Sequence, residues 1–182
     1  MSKTTSQTHT MLPFLYLKEC AQFHLRESEN NEQNAFHTSM SCIIFSAFTL
    51  DAFLNYIGSC VFDFWEELER HLTSVNKLNV ICSQLSISED FSQRPFQSFE
   101  KAINLKHSLN QGTIESYSRT ASTPHAASAP TGEEWKDWCN PGVARRIYDD
   151  TLRIMDLLSR EVQGVDYPLS VQEVDQTGFS GA

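Results

Sequence analysis

The stretch Phe96–Gly112, FQSFEKAINLKHSLNQG, decides how this chain reads. Phe96, Phe99, Ile103, Leu105 and Leu109 recur at the spacing of one helical face. Pro95 stands where a helix opens, because a missing N–H is no loss there, and Gly112 stands where one commonly closes. The sequence therefore predicts a helix. Near its C-terminal end it carries Asn104, Lys106, His107, Asn110 and Gln111, a dense group of hydrogen-bonding side chains on an otherwise core-forming segment.

Working outward, the same helical grammar recurs on both sides. Upstream, Pro13 opens a helix to about Arg26, with an apolar stripe of Leu12, Leu15, Tyr16, Cys20 and Phe23. After the polar ESENNEQN, where Asn31 or Asn34 can cap, a second helix is expected from Glu32 to Ile57, ended by Gly58. It is apolar on two faces. Phe36, Met40, Ile43, Ile44, Ala47, Leu50, Leu54 and Ile57 form one, and Phe45, Phe48, Ala52, Phe53 and Tyr56 form the other. A helix apolar on two sides is covered on two sides, by its own chain or by a second subunit. Asp51 and Asn55 lie one turn apart on its edge and require partners. The run Met40–Ile57 contains that aspartate, so it reads as a buried helix rather than a membrane span. Phe62–Leu72 reads as short and helical, Thr73 or Ser74 caps Val75–Leu85, and residues 86–95 read as a loop. Downstream, the Ser/Thr/Ala/Pro-rich residues 113–132 read as an exposed loop. Trp135, Trp138 and Cys139 anchor the return, and Asn140-Pro141-Gly142 opens a last helix to Glu161, striped by Val143, Ile147, Thr151, Ile154, Leu157 and Leu158. No segment alternates as a strand does. The fold class expected is all-α, a bundle of four or five main helices over residues 11–163, with a loose arm at 1–10 and a polar tail at 164–182.

Composition narrows the function. The 182 residues carry a formal charge of −9, with Lys and Arg sparse and scattered, which disfavours broad binding of duplex nucleic acid. The five cysteines are odd in number and none pair at metal-ligand spacing. They read as reduced thiols of a cytoplasmic protein, with neither metal nor cofactor implied. The first ten residues lack the apolar core of a signal peptide. No glycine-rich phosphate loop or nucleophile-elbow serine is present.

The order and contents of these helices resemble the HEPN superfamily, the higher eukaryotes and prokaryotes nucleotide-binding domains, in their bacterial stand-alone form. The resemblance rests on SAFTLDAFLNYIG, SVNKLNVI, FQSFEKAINLKHSLNQG and EEWKDWCNPGVARRIYDDTLRIMDLL, spread over most of residues 12–160. It implies an up-and-down helical arrangement and a homodimer. It also implies metal-independent cleavage of RNA by an Arg and a His contributed from a helix of each subunit. Such chemistry needs an imidazole to move protons near neutral pH and a forked cation to hold phosphate.

At those positions the chain departs from the family. Lys106 stands for the Arg, His107 for an Asn, and Gln111, or Asn110 at the shorter spacing, for the His. An amide exchanges no proton at physiological pH. On a helix, His107 points about 100° away from Lys106. Arg119 and His125 also meet the family's loose spacing, but a loop cannot hold such a pair unsupported.

Three readings of the polar group follow. Its members are exposed helix-end residues; or they form a buried network across a two-fold axis, with Asp51 and Asn55 joining Lys106; or Lys106 and His107 bind a phosphate or an RNA end. The function expected is a non-catalytic HEPN-like homodimer that binds a protein or a nucleotide, in a defence or toxin–antitoxin setting and away from membranes. The alternative is a ribonuclease with a drifted site, His107 as acid/base and Lys106 as phosphate clamp.

Overall fold

A computed structural model describes residues 12–111 and 137–162. The expected arm at 1–10, the loop 113–132 with Arg119 and His125, the tail 164–182, Gly112 and Trp135 lie outside the described residues. All the regular structure among the described residues is helical. Helix α1 spans Pro13–Asn30, and a 3-10 turn at Glu32–Asn34 leads into α2, Ala35–Val61. A single turn, α3, covers Trp65–Leu68 and continues as a 3-10 turn at Glu69–His71. Helix α4 spans Ser74–Gln84, α5 Phe96–Gln111 and α6 Pro141–Glu161.

Two helix starts follow from local chemistry. The Thr73 hydroxyl accepts a hydrogen bond from the Asn76 N–H at 3.2 Å, and the Asn140 side-chain oxygen accepts one from the Val143 N–H at 3.0 Å, with Pro141 in the first turn. Each satisfies an N–H that the helix itself leaves unpaired.

Helix α2 is the centre, packed against α1, α4, α5 and α6. Ile43, Ala47, Leu50, Phe53, Leu54 and Ile57 are each at most 1 % exposed. Burial on this scale is the main favourable term in folding. The segment Glu32–Val61 is long and apolar enough to cross a bilayer, and half of its most apolar window is covered by the other helices.

Two expectations are corrected. Helix α2 does not end at Gly58 but runs on to Val61, with the Phe62 N–H bonded back to the Gly58 carbonyl at 2.9 Å. Gly58 is there for close approach instead: a Cβ built on it would stand 2.1 Å from the Trp65 ring. The stripe of α1 is also turned. Leu12 and Leu15 are buried, but Tyr16, Cys20 and Phe23 face outward, and Phe14, Ala21, Leu25 and Ser28 face the core. Small side chains at Ala21 and Ser28 form part of the buried face, and a hydropathy stripe gives them little weight. Ser28 is buried without loss because its hydroxyl donates to the Leu25 carbonyl at 2.7 Å.

Helix α6 buries one residue more than its stripe. Ile147, Thr151, Ile154 and Leu158 are buried as expected, but so is Asp150, at 0 % exposure. Its carboxylate accepts two bonds from Arg94, at 2.6 and 2.9 Å, and one from the Ser98 hydroxyl at 2.5 Å; Arg153 stands 3.4 Å away. This ties the loop before α5, and α5's first turn, to α6. In the same loop, Asp90 accepts from both the N–H and the hydroxyl of Ser92, which holds its carboxyl below the usual range.

Candidate functional site

Helices α2 and α5 lie side by side, and the polar end of α5 meets the edge of α2. Lys106 bends back along this seam. Its ammonium is 3.4 Å from the Asp51 carboxylate and 5.2 Å from the centre of the Phe48 ring. From the other flank, the buried Lys77 of α4 donates to the Asn55 side-chain oxygen at 2.7 Å and stands 3.7 Å from Asp51. Two ammonium groups thus share one carboxylate. Asp51 Oδ1 is shut off from solvent and accepts no hydrogen bond, so Lys77 meets it as a charge rather than as a donor.

The sequence-level group is therefore divided. Within the chain, Asp51 is paired with Lys106, and Asn55 accepts from Lys77 beside it. Asn104, His107 and Asn110 are exposed. The Gln111 side chain lies outside the described residues. Lys77 is the member that the site reading of the sequence passed over. The signal available was a lysine flanked by Val75, Leu78 and Val80 on a short apolar helix, where a charge needs a partner.

Above this network an open groove of about 540 Å³ runs between α2 and α5, lined by Ile44, Phe48, Lys106, His107, Leu109 and Asn110. Despite the turn of about 100° between successive helical residues, Lys106 and His107 line the same groove. The His107 imidazole makes no hydrogen bond to a described residue, so nothing there fixes its tautomer. Lys106 is a point charge already facing an anion. The groove walls are mainly apolar, and Phe48 is 40 % exposed.

The five thiols divide by position. Cys20 and Cys60 are exposed, whereas Cys42, Cys82 and Cys139 are buried. Burial pushes the Cys42 and Cys82 thiols up to about 12 and the Cys139 thiol to about 11, so none is a ready nucleophile. Among the described residues no three His, Cys, Asp or Glu side chains converge as metal ligands would.

No protein-family model, no curated protein and no solved structure matches this chain.

Proposed function

We propose that the chain is a non-catalytic, HEPN-like helical module that acts as a cytoplasmic homodimer and binds another protein or a nucleotide, in a bacterial defence or toxin–antitoxin setting. In this reading the helices form the up-and-down bundle of that superfamily, and the α2–α5 groove is where two subunits meet. The observation that carries it is the 3.4 Å pair between Lys106 and Asp51. The one cation at the family's phosphate-holding position is answered from within the chain, and among the described residues none is hydrogen-bonded to the neighbouring imidazole. Ile44, Phe48 and Leu109 give the groove the apolar lining that a subunit contact uses.

A second reading, a metal-independent ribonuclease with a drifted site, draws on one fact: Lys106 and His107 line a common groove. In it Lys106 grips phosphate and His107 moves the proton.

The association is tested by light scattering on the purified full chain and on Phe48→Glu. The expected outcome is a dimer mass for the parent and a monomer mass for the variant, with unchanged helical circular dichroism. A monomeric parent at micromolar concentration would overturn the dimer.

A further inference from the structure

A second cavity lies on the opposite side of α5, away from the Lys106 groove. It encloses about 280 Å³ between α5, the turn before α6 and the start of α6. Lys101, Arg146, Gln97, Trp138, Ile147 and Asp137 are among its lining residues. The Lys101 ammonium sits 5.4 Å from the centre of the Trp138 ring.

Two cations outside any ion pair converge there. In a chain of net charge −9, carboxylates are in surplus. Accordingly Arg70, Lys77, Arg94, Lys106, Arg145, Arg153 and Arg160 each lie within ion-pair range of an acid. Among the described residues Lys101 and Arg146, like Arg26, are in no such pair, and Lys101 and Arg146 line this one cavity together. Among the described lining residues, two like charges on facing helices, with one carboxylate at Asp137 to offset them, make the cavity net positive. Beneath it the Ser98 hydroxyl is already committed to Asp150, whose charge is answered by Arg94 and Arg153, so the floor adds no free anion. The walls at Val143, Ile147 and Trp138 are apolar.

From this juxtaposition we propose that the cavity binds a small organic anion, a phosphate monoester or a carboxylate, with its charged group between Lys101 and Arg146 and its apolar body against Trp138 and Ile147. Arg supplies a fork and Lys a point charge, the complementary pair for such a group. The volume suits a ligand at the small end of the usual range. The site is separate from the α2–α5 groove and stands whether or not the chain dimerises there.

The test is isothermal titration calorimetry of the full chain with phenyl phosphate, benzoate and inorganic phosphate. The parent, Lys101→Gln, Arg146→Gln and the remote Arg70→Gln are compared. All three positions are exposed, and circular dichroism checks that the variants are folded. The expected result is saturable binding of phenyl phosphate or benzoate, weaker by about tenfold or more in K101Q and in R146Q and unchanged in R70Q. The tighter of the two probes identifies the anion, and inorganic phosphate should bind more weakly than phenyl phosphate. No saturable binding of either organic probe, equal binding of inorganic phosphate, or undiminished binding in both cavity variants would overturn the proposal.

Discussion

The Lys106 ammonium on α5 stands 3.4 Å from the Asp51 carboxylate on α2, and the same carboxylate is 3.7 Å from Lys77 on α4. One acid on the central helix thus answers a cation from each of two neighbours. Removing it leaves the nearly buried Lys77 with the Asn55 amide alone among the described residues. We expect Asp51→Ala to lose about 2–4 kcal/mol in urea denaturation, at the lower end of what breaking a buried pair costs because Asp51 is partly solvated. Lys106→Met should lose less than about 1 kcal/mol, since Lys77 still faces the acid.

At Gly58 the usual sign of a substitution reverses. Alanine within a helix ordinarily adds about 1 kcal/mol over glycine. Here the new Cβ would fall 2.1 Å from the Trp65 ring, itself buried at 2 % exposure. Gly58→Ala should therefore destabilise by about 1–3 kcal/mol, the range for overpacking a filled core. Thermal melting of the pair of proteins reads the difference, and a stabilised variant would refute the packing role.

The buried thiols set an alkaline limit. Cys42 and Cys82 ionise at about 12 and Cys139 at about 11 in the fold, against a reference of 9.0. The unfolded chain therefore loses these protons first. Their contribution to stability is complete below pH ~9 and falls as pH rises through ~11–12, by up to about 1.4 kcal/mol per pH unit for each thiol. Urea midpoints measured from pH 8 to 10.5 should decline. At pH 8 an aromatic disulfide reagent should titrate the exposed Cys20 and Cys60 in the folded protein and all five thiols only after unfolding.

Much of the helix inventory is legible in the sequence because caps and prolines act locally. Thr73 and Asn140 mark their helices through bonds made within a turn, and Pro13 marks its own by lacking an N–H where none is needed. What the sequence hides is what depends on a distant partner. The outward turn of Tyr16 and Phe23 follows from how α1 lies on α2, and no periodicity within α1 states it. Asp150 looks like one more solvated acid of α6 until Arg94, 56 residues away in sequence, closes over it. Gly58 looks like a stop signal because its partner, Trp65, lies beyond the turn. At the site, one-turn spacing puts Asp51 and Asn55 on one edge of α2 and the demand of a buried charge asks for partners, which are Lys106 for Asp51 and Lys77 for Asn55. Lys77 was the less visible member, since a lone lysine on a short helix is ordinarily a surface residue.

A groove that holds Lys106 against Asp51, with His107 exposed beside it, is proposed not to cleave RNA. The direct test is to incubate purified full-length protein with a labelled single-stranded RNA at pH 7, without divalent metal, and resolve the products on a denaturing gel. The expected result is intact RNA, indistinguishable from the buffer control. Cleavage that co-purifies with the protein and disappears in His107→Ala would contradict it.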